Sequence, residues 1–354
     1  MSSIMMPLFD ERPARVRPCT LSNPTYSCRL GAVRPRSSLL PNSSAISTNG
    51  LAYGVDVSEE HAFVACINNV TLINLRDKTM KARCPVPGTT RALAATPSGK
   101  AVYVACQNGG LNVLSRVGND LQHVDHFNVM AVGIAMTNTV AVVACEQTGL
   151  CFFDSRSHKW LSMLPLQYLG TTLRAKAVAV HGNRYAYVAC DAGVVAVVDF
   201  HDPRHPVLHA TKKVFAGEAH AVALSEKGNS LFVACGAKGI AVVNLLGFKA
   251  MGHVRSAYGA VFDLHVVGSL LLTACQMGGL AVFCVGEDRM RLTLLGQTNA
   301  FDGISHGIRS VNADRGLEAV VTCQSGGVQL VPLDSMAQWP GPKKAGFSDA
   351  CSIM

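Results

Sequence analysis

Apolar and polar positions along this chain fall into short runs that return at a regular interval. Each unit opens with an alternating stretch: GVDV at Gly54, ALAA at Ala92, GIAM at Gly133, AVAV at Ala177, AVAL at Ala221, AVFDL at Ala260 and GIRSV at Gly307. A polar turn follows, such as SEEH (Ser58–His61) or TPSGK (Thr96–Lys100). Next comes an apolar run ending in cysteine: FVAC, YVAC, VVAC, YVAC, FVAC, LTAC and VVTC, with their cysteines at Cys66, Cys106, Cys145, Cys190, Cys235, Cys275 and Cys323. These cysteines lie 40, 39, 45, 45, 40 and 48 residues apart. A Gly-rich turn such as QNGG (Gln107–Gly110), a third apolar run and a less regular fourth segment complete each unit.

Alternation of period two predicts strands, and the β-branched and aromatic residues support it. Turn signals every 8–12 residues agree. Four strands per unit, a period near 40–45 residues and seven units predict an all-β, seven-bladed β-propeller over residues 49–334. Apolar residues make up 49% of the chain and charged residues 15%, which fits strands buried on both faces. The seventh unit has a third strand at Val328–Leu333 but no fourth, because the chain then becomes polar and Pro/Gly-rich. An open outer edge is a liability, so the N-terminal segment is expected to supply the missing strand, around Tyr26–Val33. The rest of residues 1–48, rich in Ser, Pro and Arg, is expected to be mostly disordered, and residues 335–354 form a flexible tail.

The segment VVAVVDFHDPRHPV (Val194–Val207) resembles an LVIVD repeat, in which an apolar strand ending in Asp runs into an Asp-Pro-x-x-Pro turn. Here that turn is Asp202-Pro203-Arg204-His205-Pro206. The other six units share the strand pattern alone. The resemblance implies a propeller, often one without an assigned activity. Two tryptophans are too few for WD40 repeats, and the kelch Gly-Gly-then-aromatic spacing is missing.

Thirteen cysteines would suggest a disulfide framework, but seven recur once per blade, too far apart to bridge. No CxxC pair and no Cys/His set has zinc spacing, so free thiols are expected and no metal or other cofactor is implied. His201, His205 and His209 are four apart, yet Pro203 and Pro206 forbid a shared helical face. No GxSxG, HExxH or P-loop occurs. Asp56 and Asp263, on inner strands, are the one carboxylate pair that could converge on the channel. Inner strand starts and the loops after second strands share one face of a propeller. That places Arg91, Arg174, Lys176, His220, His306 and Arg309 near the opening, with Glu146, Asp191 and Lys238 beside them. They form either a basic funnel for an anionic ligand or acidic peptide, or a solvated rim, the ordinary place for charged residues.

The net charge of +8 is uneven, since residues 1–50 hold six arginines against Asp10 and Glu11. This is too sparse for a nucleic-acid interface and no aromatic stacking platform accompanies it. The chain ends Cys351-Ser352-Ile353-Met354, which resembles a CaaX box whose final Met favours farnesyl. One prenyl chain binds membrane marginally, and Lys343 and Lys344 would add to it. The arm also has transit-peptide composition, but Pro7, Pro13, Pro18 and Pro24 would break the helix that import requires. The expectation is a monomeric, non-enzymatic protein-interaction scaffold, tethered through Cys351 to a cytoplasmic membrane face. A propeller enzyme or anionic-ligand binder using the channel is the alternative function, and the mitochondrion the alternative location.

Overall fold

The computed structural model of the chain describes residues 43–255, 259–286, 291–314 and 316–333. Seven four-stranded antiparallel sheets make seven blades. In the first, Ala52–Ser58, His61–Cys66, Asn69–Asn74 and Thr79–Pro85 pair in that order from the axis outwards. The next five blades repeat the order from Ala92, Ala131, Ala175, Ala221 and Asp263. First strands of neighbouring blades pack on one another around the ring, and the seventh meets the first. A two-stranded hairpin, Gln167–Tyr168 with Thr171–Thr172, is inserted between the third and fourth blades. One 3-10 turn, Asp191–Gly193, is the only helical element among the described residues.

The cysteine-ending runs are second strands, and their burial follows from position. Each is sandwiched between two blades, so both of its faces meet apolar neighbours. Phe63 and Ala65 pack toward the second blade, while Val64 and Cys66 pack toward the seventh. Seven apolar clusters result, one for each interface between neighbouring blades. Each repeat cysteine joins the cluster shared with the preceding blade, so no two occupy the same interface. That separation explains why they do not bridge, and all ten described cysteines are free and buried. Burial pushes the Cys106 and Cys235 thiols up to about 11 and those of Cys190 and Cys323 to about 12, so they stay neutral and unreactive. Six of the seven point the sulfur at the carbonyl two residues back, as Cys235 does toward Val233 O at 3.4 Å. A small side chain with a weak donor fits that site.

The seventh blade comes from both parts of the chain: Ser305–Ala313, Gly316–Cys323 and Val328–Pro332, then Ser44–Ile46 on the outer edge. Ser44 pairs with Leu330, Ala45 with Gln329 and Ile46 with Val328. Residues 26–33, where that strand was expected, lie outside the described residues, and the N-terminal segment closes the ring through Ser44–Ile46. The physical reason is reach. Only Ser47–Leu51 separate this strand from the first blade, a connection of ordinary length, and Ile46 is the apolar residue that distance allows. Ile46 is 6% exposed and belongs to the core between the seventh and first blades. The blades thus include Ser44–Ile46 of the 1–48 arm. Gly327, at φ +67, lets the backbones meet; a Cβ would sit 2.3 Å from Ile46 O.

The closing blade also carries a polar latch. Arg309 donates from Nε to Asp56 of the first blade at 3.1 Å and from Nη1 to Asp263 of the sixth at 3.0 Å. Asp56 accepts from Ala95 N in the second blade at 2.8 Å, and Asp263 from Ile308 N at 2.9 Å. Thr322, standing where most repeats have Ala, donates to Tyr53 O across the same seam at 2.9 Å. Four inner strands are tied through one guanidinium.

Candidate functional site

Each inner strand is preceded or opened by one residue that steps out of the ladder. In the first, third, fourth and seventh blades it is a bulge residue: Tyr53, Val132, Lys176 and His306. In the other three it sits just before the strand, with Arg91, His220 and Phe262 donating N–H to Ala105, Ala234 and Ala274. All seven line one mouth of the channel, a cavity of about 130 Å³. A bulge re-aims a side chain, and here four bulges and three positions just before a strand aim seven side chains at one opening.

The mouth is divided. Going round from the fifth blade to the first, His220, Phe262, His306 and Tyr53 touch in sequence. Ring centroids are 4.8 Å apart for His220–Phe262, 4.8 Å for Phe262–His306 and 5.0 Å for His306–Tyr53. A cation flanks each end of this aromatic arc. Lys176 lies beside His220 and is ion-paired to Glu146 at 2.5 Å. Arg91 lies beside Tyr53 and is held by Gln107, which accepts from its Nε at 3.0 Å. Among the described residues no carboxylate pairs with Arg91. Burial lowers the pKa of His220, opposed by Glu218 and helped by Lys176, and burial lowers that of His306, helped by His220. Both imidazoles are therefore neutral near pH 7. The Gln324 amide nitrogen donates to His306 Nε2 at 3.0 Å, which leaves the His306 proton on Nδ1.

Below the mouth, Arg309 and its two aspartates form the floor, and Arg309 also lines the wider vestibule of about 580 Å³ at the far end. Burial raises the Asp263 carboxyl, opposed by Arg309 and by backbone N–H groups. Beside the latch, His265 bonds Ser310 Oγ at 2.9 Å; burial and Arg309 push it down to about 3.

Of the six ring residues read from the sequence, the structure gathers Arg91, Lys176, His220 and His306 at the mouth. Arg309 lies deeper, spent on Asp56 and Asp263. Arg174 stands outside the mouth, 68% exposed and 3.7 Å from Asp191. The basic funnel is thus largely neutralised. Sequence reasoning missed Tyr53, Phe262 and Val132, because it searched for charge; each stands immediately before the inner-strand run that continues from Gly54, Asp263 or Gly133. Cys351 lies outside the described residues. No group of three or more potential metal ligands occurs among the described residues.

The same face carries exposed apolar tips. Leu51 (37% exposed) and Leu169 (87%) lie in connections between blades, and Ile67 (40%) and Met277 (69%) lie in turns after second strands. Leu169 is the tip of the inserted hairpin, at φ 49° and followed by Gly170 at φ 79°. Both centre positions of that two-residue turn have positive φ, a conformation that favours Asn-Gly over leucine.

Residues 174–211, which span the fourth blade, match the family model of the LVIVD repeat. No curated protein sequence matches the chain. A solved structure of U3-55K is similar in fold: the TM-score is 0.69 at 11% identity, covering 84% of this chain and 99% of that one. At that identity the likeness is one of architecture alone.

Proposed function

We propose that the protein is a non-enzymatic protein-interaction scaffold that docks partners on the channel-mouth face. The observation that carries this reading is the placement of Leu51, Ile67, Leu169 and Met277 on loops of that one face, around a small polar cup. Apolar side chains held out on loops contribute nothing to the blade cores, whereas they supply contact area to a partner. The channel interior favours the same reading. Asp56 and Asp263, the carboxylates placed for acid–base work, are both committed to Arg309 and to backbone N–H groups. An enzyme or anion binder using the channel is the second reading, favoured by the unpaired Arg91. Native mass spectrometry of the protein purified from its source discriminates the two. A bound protein that is lost from a Leu169→Asn/Met277→Ser variant supports the scaffold, and a co-purifying small molecule with no protein partner contradicts it.

The proposal extends to the tail. Cys351-Ser352-Ile353-Met354 has the residues a farnesyl transferase needs, and Lys343 and Lys344 would add roughly 1 kcal/mol each at an anionic cytoplasmic leaflet. Mass spectrometry of the native C-terminal peptide tests this separately: an unmodified Cys351 with Ser352–Met354 attached removes the tether and leaves the docking face untouched.

A further inference from the structure

The channel mouth has more unused donors than the fold requires. Arg91 commits only Nε, to Gln107, and its terminal nitrogens remain available to the cavity it lines. His306 is held by Gln324 in the tautomer that keeps a proton on Nδ1. His220 meets Phe262 with the ring planes at 78°, and has no hydrogen-bond partner among the described residues. Tyr53 adds a phenol at the edge of the same arc. Gln107 and Gln324 both come from the turns after second strands, so the two holders belong to rigid parts of the blades.

These donors converge on a space of about 130 Å³, room for about four waters at bulk density. A group of three or four heavy atoms fits it. Its charge is set by the walls. Lys176 is matched by Glu146, and Arg309 by Asp56 and Asp263, so Arg91 is the cation left unmatched by a carboxylate. The rest of the wall is donor-rich and aromatic, and ring edges carry positive potential. A flat monoanion suits this cup: one oxygen to the Arg91 guanidinium, the other toward the imidazole donors, its plane parallel to a ring wall.

We infer that the mouth is a carboxylate socket, which receives an acidic side chain of a protein docked on this face. The apolar tips around it would hold the partner's surface, and the socket would fix its register. This inference rests on the docking reading for the source of the carboxylate, not for the socket's chemistry.

The test uses the full chain with ¹⁵N-labelled histidine, following the His220 and His306 imidazole signals. Four probes are titrated: an acetylated and amidated Gly-Gly-Glu-Gly-Gly peptide, its Gln counterpart, propionate and inorganic phosphate. The socket predicts saturable shifts with the Glu peptide and none with the Gln peptide. Arg91→Gln should weaken the Glu peptide about tenfold, the usual consequence of losing a charge-assisted hydrogen bond. Unchanged methyl and amide signals from the blade cores would show that this variant is folded. The conservative Arg91→Lys should recover part of the affinity. Propionate binding as tightly as the Glu peptide would support the socket while counting against a protein source, and so against the docking reading. Phosphate binding more tightly than either carboxylate, or no saturable shift with any probe, would overturn the inference.

Discussion

Replacing Arg309 by methionine isolates the latch that ties the closing blade to both neighbours. The substitution keeps most of the side-chain volume and removes the charge. It leaves Asp56 and Asp263 facing each other's field, with side chains only 22% and 19% exposed. Breaking a buried pair by removing one partner costs about 3–5 kcal/mol, and the residual solvent access here reduces that to about 2–4 kcal/mol. For a domain of this size the melting temperature should fall by about 5–10 °C. The loss also has a pH signature. Burial already raises the Asp263 carboxyl, and without Arg309 it must rise further. A carboxyl whose folded pKa exceeds its unfolded value stabilises the fold below the unfolded pKa, and that contribution is lost as pH rises through the folded pKa. The variant's deficit should therefore be largest near pH 8 and shrink toward pH 5. Urea unfolding at pH 5, 6.5 and 8 measures it, with His265→Gln carried in every chain to remove the neighbouring titration. Adding Asp263→Asn should abolish the pH dependence. An equal deficit at all three pH values, or one below about 0.5 kcal/mol, would refute the claim that a buried charge balance holds the seam.

Ile46→Ala removes the main apolar contact of the closing strand, and equilibrium unfolding should show a loss of about 2–4 kcal/mol. Leu169→Asn relieves a leucine held at positive φ, and should raise stability by about 0.5–1 kcal/mol in the same assay while weakening partner capture. Iodoacetamide at pH 7.5 should leave the ten described cysteines unlabelled in the native protein and label them after denaturation, as peptide mass spectrometry will record. His265, pushed down to about 3, should show imidazole shifts that stay flat between pH 5 and 8; because its unfolded pKa is near 6.5, the stability it contributes is full above pH 6.5 and falls as the solution is acidified below it.

The ring was legible from sequence because packing imposes the repeat. A second strand squeezed between two blades is apolar along most of its length, and the cysteine marks its end. Phe63–Cys66 and its six relatives therefore announce the blades and their number. The closing strand was harder to place. Three residues, Ser44–Ile46, carry too little pattern to stand out from a polar arm, and the choice among upstream segments depends on the reach of Ser47–Leu51. The mouth was half legible. Arg91, Lys176, His220 and His306 could be read from their charge or their imidazoles, while Tyr53, Phe262 and Val132 look like core residues until their places at the start of the inner strands turn them inward. Arg309 looked like a site residue and is a structural one, because its partners Asp56 and Asp263 lie 253 and 46 residues away in sequence.

Face-resolved cross-linking of the native complex tests the scaffold claim most directly. Lys176 and Lys238 stand on the channel-mouth face, and Lys100 and Lys227 lie in turns at the opposite end of the channel. Lysine-reactive cross-linking of the protein in its source extract, read by mass spectrometry, should join partner peptides to Lys176 and Lys238 and not to Lys100 and Lys227. Cross-links confined to Lys100 and Lys227, or spread evenly over both faces, would contradict the account.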